Sequence, residues 1–147
     1  MHQLIYSVDT YCGWCYGFGP TLRQLAADPE VSLTIRHGAL FVGDRSAPIG
    51  HYGHIAAANA QISALTGVEF GAGYEAMLAE GSTVMNSKDA ARGLMALRQV
   101  AGEGRALEAL AALRRPSMVR ALVSRVKPLT TLLLRGWGWA PRLCTRP

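Results

Sequence analysis

Two cysteines three positions apart, Cys12 and Cys15, stand between an apolar, β-prone run at Leu4–Val8 and a stretch of helical spacing from Cys15 to Ala27. No other feature constrains the chain as much. The pattern places a dithiol on the turn that leaves a buried strand and enters a helix. A thiol at a helix N-terminus faces N–H groups that lack intrahelical partners, and the positive end of the helix dipole. Both favour the thiolate and lower the thiol pKa. One helical turn separates the two sulfurs, so the second can reach back and close a disulfide with the first. The arrangement predicts Cys12 as the exposed nucleophile and Cys15 as the buried resolving thiol. Gly13 and Trp14 line the turn between them.

A CxxC pair also occurs in zinc knuckles, which usually need four ligands. The further candidates here are Cys144, distant in the chain, and His51 with His54, three apart at the start of a helical pattern. The redox assignment is preferred, with His51 and His54 expected as solvated loop and helix-start residues. His37, at the end of a predicted strand, is expected at a surface or rim, with a place near the cysteines as the lesser alternative. Three cysteines, two of them three apart, do not describe a disulfide framework.

Tyr11, Trp14, Tyr16 and Phe18 surround the cysteines. Part of this cluster is ordinary core filling. The rest is expected to form an apolar rim that receives an unfolded peptide or a small thiol. Trp14, at the exposed turn, is the leading substrate contact, with Tyr11 and Tyr16 beside it.

Val31, Leu33 and Ile35 alternate on one face and predict a second strand. A strand, a short helix and a strand imply a parallel pair. Gly17, Gly19 and Pro20 should interrupt the helix between them. From Phe41 the character changes to a Gly/Pro loop and then an Ala-rich helical block. Ile55, Ile62 and Leu65 are core candidates of one helix closed by Gly67, and Tyr74, Met77 and Leu78 of the next. Ser87, with Asp89 following, is the expected N-cap of a further helix. The chain thus divides into a strand–helix–strand unit with the CxxC at 1–40, a helical insertion at 41–113 and an atypical basic tail at 114–147.

The tail is defined by charge. Residues 1–113 hold seven Arg/Lys and ten Asp/Glu, whereas residues 114–147 hold eight Arg/Lys and no Asp/Glu. Leu129–Leu134 is a strand candidate there. The Gly136-Trp137-Gly138-Trp139 run has no amphipathic logic. Such a break fits a nucleic-acid or membrane-binding tail or a segment read in a shifted frame; the latter is the expectation, with no nucleic-acid or membrane partner. No run of about 18 apolar residues is present, and Met1–Tyr6 lacks the layout of a signal peptide. The expected compartment is the cytoplasm, where a CxxC is more often catalytic or metal-binding than structural.

The run Asp9-Thr10-Tyr11-Cys12-Gly13-Trp14-Cys15-Tyr16-Gly17-Phe18-Gly19-Pro20 resembles the active-site segment of DsbA-family proteins of the FrnE-like branch. Gly38–Arg45 and the helical block after it are similar to that family too, so the resemblance covers roughly residues 3–113. It implies an α/β, thioredoxin-like fold with an inserted all-helical block, here incomplete at the C-terminus. The family's cis-proline loop has no match, since Pro128 and Pro141 stand in poor contexts. The implied activity is thiol–disulfide oxidoreductase or isomerase on protein thiols, with Cys12 as nucleophile and Cys15 as resolver, and no metal or dissociable organic cofactor. Partners would be protein thiols and disulfides, or small thiols such as glutathione. The alternatives are a glutathione-dependent isomerase or transferase of the same superfamily, whose members often carry a single Ser or Cys at the motif, and a non-enzymatic fragment.

Overall fold

A computed structural model describes residues 1–120 of the 147. Strand β1 (His2–Val8) and strand β2 (Val31–His37) pair in parallel, with Leu4 opposite Leu33, Tyr6 opposite Ile35 and Val8 opposite His37. Between them lie α1 (Gly13–Gly17) and α2 (Gly19–Ala27). The expected interruption falls at Phe18, which ends α1 and begins α2. Pro20 sits in the first turn of α2, where a missing N–H costs no intrahelical bond.

The helical block follows a loop with short 3-10 turns at Gly43–Arg45 and Ile49–His51. It contains α3 (Ile55–Thr66), α4 (Ala72–Glu80), α5 (Ser87–Ala101) and α6 (Ala106–Arg120). Gly67 closes α3 in the left-handed conformation (φ 71°), as its sequence position foretold. The cap of α5 lies one residue before the expected one. Asn86 is the N-cap and accepts from Lys88 N, while Ser87 is buried and its hydroxyl accepts from Phe41 N at 2.9 Å. Ser87 N also donates to Phe41 O at 2.9 Å. A long-range tie to the loop therefore takes the hydroxyl that local capping would have used. Helix α6 runs across the position between residues 113 and 114 where the charge balance changes.

Two cores result. Val8 and Ile35 from the strands meet Leu94 and Leu97 of α5 and Ala109, Leu110 and Leu113 of α6. Each of the larger side chains contributes about 1.5–3 kcal/mol by leaving water. The second core joins Tyr11 and Phe41 to Ile49, Tyr74, Met77 and Met85. Leu65, expected inward, is 68% exposed, on a helix of low amphipathicity whose Ile62 makes the core contact.

Ile62 packs where α1 and α3 approach closely. A Cβ on Gly17 would lie 2.6 Å from Ile62 Cγ2, so only glycine permits this approach. In the two-stranded sheet of the described residues, β1 has a neighbour on one edge only, and Ile5 is 65% exposed. The strand candidate Leu129–Leu134, Pro128, Pro141 and Cys144 lie outside the described residues.

Candidate active site

Cys12 is the N-cap of α1 in extended conformation (φ −76°, ψ 112°), and its sulfur accepts from Cys15 N at 3.3 Å. Helix α1 is five residues long, so this single N–H supplies the local stabilisation rather than a long helix dipole. Both cysteines are free and half-buried.

The segment is held in place by Asp9, which is 3% exposed. One carboxylate oxygen accepts from Tyr11 N at 2.9 Å and the other from Leu40 N at 3.0 Å. The Asp9 carbonyl accepts from Cys12 N at 3.2 Å. His37 differs from its expected rim position. Its side chain is 9% exposed, with Nδ1 3.9 Å from the Asp9 carboxylate and Nε2 3.4 Å from Thr10 Oγ1. Burial lowers its pKa, Asp9 opposes this, and the charge of Arg114 assists it. The parallel register brings His37 level with Val8 and so beside the turn that follows, which strand alternation alone does not reveal.

The cysteines titrate together. Cys15 is drawn down to about 6, first by its hydrogen bond with Cys12 and then, against the cost of burial, by Asp9 N–H, Arg114 and the Tyr6 hydroxyl. Cys12 is held up, first by its hydrogen bond to Cys15 and then by burial. The acidity expected of Cys12 alone thus belongs to the pair, which keeps one proton between two sulfurs after the first is lost. Tyr6, pushed up to about 12 by burial and then by the charge of Cys15, remains a hydroxyl donor. It donates to Cys15 O at 3.4 Å.

Cys12 opens into a cavity of about 250 Å³ lined by Tyr11, Trp14, Leu40, Phe41 and residues of α3, including Asn59. Cys15 does not line it. Trp14 is 48% exposed at its mouth, and Tyr11 is buried in its wall, edge-on to Phe41 with ring centroids 6.2 Å apart. Tyr16 lies elsewhere. Its hydroxyl donates to Glu69 O at 3.1 Å, its ring packs on Phe70, and it lines a separate cavity beside α2 and α6. At α1 positions 14 and 16 the helical rotation sends the two side chains apart. Phe18 packs on Tyr6 with centroids 5.7 Å apart. His54 lines the cavity of Cys12, and His51 is exposed. Among the described residues no three His, Cys, Asp or Glu side chains come together as metal ligands.

The residue that sequence reasoning missed is Arg114, assigned there to the basic tail. It is buried under the CxxC turn, donating to Cys15 O at 2.8 Å and to Asp9 O at 3.3 Å. Its one available signal was its position on the helical continuation of Leu107 and Leu110.

The fold is thioredoxin-like, of the DsbA type, and its structural neighbours are DsbA-like disulfide reductases and isomerases. One is the cytosolic disulfide reductase DsbM from Pseudomonas aeruginosa, matched with a TM-score of 0.80 and 25% identity over 93% of this chain and 64% of DsbM. The same protein solved with GSH matches with a TM-score of 0.78 at 25% identity, over 93% of this chain and 65% of that one. A candidate protein disulfide isomerase from Nitrosomonas europaea shares the fold, with a TM-score of 0.69 and 18% identity over 92% of this chain and 64% of its own. The chain therefore spans just under two thirds of the length of these neighbours. No family model matches it, and no curated protein matches it significantly. No helix among the described residues is long and apolar enough to cross a membrane.

Proposed function

We propose that the chain is a thiol–disulfide oxidoreductase or isomerase that works by exchange through Cys12 and Cys15. The observation that carries this is the N-cap placement of Cys12, its sulfur on Cys15 N and facing an apolar cavity while Cys15 stays behind it. The proton of Cys12 passes to Cys15 across their hydrogen bond. The Cys12 thiolate attacks one sulfur of a substrate disulfide, that S–S bond breaks, and its electron pair leaves on the far sulfur. A Cys12–substrate disulfide now exists. Cys15 gives its proton to the departed substrate thiolate and attacks the Cys12 sulfur; the Cys12–substrate S–S bond breaks and the second substrate thiolate leaves, with the Cys12–Cys15 disulfide formed. The substrate gains two electrons and the chain loses two. A dithiol, or two small thiols such as glutathione, reverses the cycle. Isomerisation follows when a substrate thiol, instead of Cys15, resolves the mixed disulfide.

Trp14 and Tyr11 are the substrate contacts that this geometry favours, and protein thiols the proposed partners, in a reducing cytoplasm. The motif uses no metal or organic cofactor for these steps. The cytosolic setting and reductase activity of DsbM, as it is described, agree with this. Two observations favour a second reading, a glutathione-dependent isomerase or transferase. The cavity beside Cys12 is small, and DsbM has been solved with GSH.

Insulin reduction and refolding of scrambled ribonuclease by the full chain distinguish these readings. Activity that is lost in Cys12→Ser, and a trapped mixed disulfide in Cys15→Ser, are expected. Turnover on both substrates that survives Cys12→Ser would overturn the proposal. Turnover that requires glutathione and survives Cys15→Ser would select the second reading.

A further inference from the structure

Arg114 is 4% exposed, yet its hydrogen bonds go to two uncharged carbonyls, Cys15 O and Asp9 O. Its Nε is buried and has no partner among the described residues. The nearby carboxylate of Asp9 takes its hydrogen bonds from Tyr11 N and Leu40 N and is present in both redox states. A buried guanidinium favours any further anion beside it. The anion that redox chemistry adds here and removes is the thiolate of the cysteine pair.

We infer that Arg114 is the fixed counter-cation of the Cys12–Cys15 thiolate, and that it biases the pair toward the reduced form. It acts as a positioning residue, holding the carbonyl of Cys15 with its charge near enough to act on both cysteines. The inference rests on Cys12 and Cys15 being the redox pair. When the thiolate–thiol pair is oxidised by a substrate disulfide, two electrons and one proton leave, an S–S bond forms, and the negative charge departs on the substrate thiolate. Arg114 then loses the thiolate charge beside it while its two carbonyl bonds remain. The reduced state therefore suits it better.

The other groups around it do not supply that charge. From β1, Tyr6 stays protonated. From β2, His37 is pushed toward its neutral form by burial. Arg23 of α2 and Glu69 of the α3–α4 loop line an open cavity that Arg114 also borders, where water screens them. The electrostatics agree, since the charge of Arg114 lowers both cysteines.

The test is a titration of thiolate ultraviolet absorbance in the reduced full chain, with redox equilibration in glutathione buffers. Wild type, Arg114→Met and Arg114→Lys are compared. Arg114→Met is expected to raise the apparent pKa of the pair by about one unit, a tenfold loss of thiolate at intermediate pH. It should also lower the reduced-to-oxidised ratio about tenfold, and Arg114→Lys should retain most of both. A merely structural arginine would change stability but neither readout, and values within twofold of wild type in Arg114→Met overturn the inference.

If Arg114→Met does not fold, Arg114→Gln, which keeps N–H donors for the two carbonyls without the charge, takes its place. It should shift both readouts in the same direction and by a similar factor; values within twofold of wild type overturn the inference. None of these measurements requires turnover. Failure of insulin and ribonuclease assays would thus count against the proposed function, and an unmoved titration against Arg114.

Discussion

Asp9 Oδ2 accepts a hydrogen bond from Leu40 N at 3.0 Å, joining the end of β1 to the segment that leaves β2. The other oxygen of the same carboxylate takes Tyr11 N, so one buried side chain shapes both walls of the Cys12 cavity. Asp9→Ala leaves these two N–H groups without their acceptor. Each orphaned buried group costs about 1–3 kcal/mol. Urea denaturation should show a loss of about 2–4 kcal/mol, and alkylation of Cys12 should change rate because its turn is released. An unchanged midpoint would mean that water replaces the carboxylate.

The hydrogen bond with Cys12 is the largest single cause of the lowered pKa of Cys15. Cys12→Ala removes that bond, and the pKa of Cys15 should rise from about 6, as read from alkylation rate against pH. In wild type, Cys12 should be alkylated before Cys15, because Cys12 alone of the two lines the cavity. Peptide mapping that finds Cys15 modified first would reverse the assigned roles.

The reduced pair also makes stability depend on pH. The folded pKa of Cys15 lies at about 6, below the value of about 8.5 for a free cysteine. A depressed pKa adds stability that is fully present above the unfolded value and is lost as pH falls through the folded one. Reduced wild type should therefore be more stable at pH about 9 than at pH about 5, and Cys15→Ser should flatten this difference in chemical denaturation.

Gly17 sits where α1 meets α3. In Gly17→Val the first added carbon would already stand 2.6 Å from Ile62 Cγ2, with Thr66 at 3.3 Å. Overpacking of this kind costs about 1–3 kcal/mol. The loss should appear in thermal denaturation and be partly relieved by Ile62→Ala, a double-mutant cycle that purely additive losses would contradict.

Trp14 is half exposed and belongs to neither hydrophobic core of the described residues. Trp14→Ala should change stability by no more than about 0.5 kcal/mol. Its effect should fall on KM for an apolar peptide disulfide, severalfold, with little change for a small hydrophilic disulfide. Equal losses on both would mean that Trp14 supports Cys12 instead of the substrate.

Much of this site is local in sequence. Strand, cysteine turn and broken helix are contiguous, and period-2 and helical patterns, Gly17, Gly19 and Pro20 punctuate them without help from distant residues. That is why β1, the α1–α2 break and the parallel β2 were legible. The same holds for α3 closing at Gly67. Tyr16 was misplaced because proximity along the chain does not tell which side of a one-turn helix faces the cavity. Ser87 was misassigned because Phe41, 46 residues away, captured its hydroxyl.

The sequence by itself determined that a dithiol would sit at a strand-to-helix turn, since short-range sterics, hydrogen bonding and apolar periodicity are encoded within a dozen residues. Only the tertiary structure decided what surrounds it. His37 comes beside Asp9 through the strand register, and Arg114 reaches Cys15 across 99 positions because α6 packs under β1 and β2. Whether an arginine is a solvated tail charge or a buried counter-ion depends on which helix face the core captures, and that is settled by packing among all the elements at once.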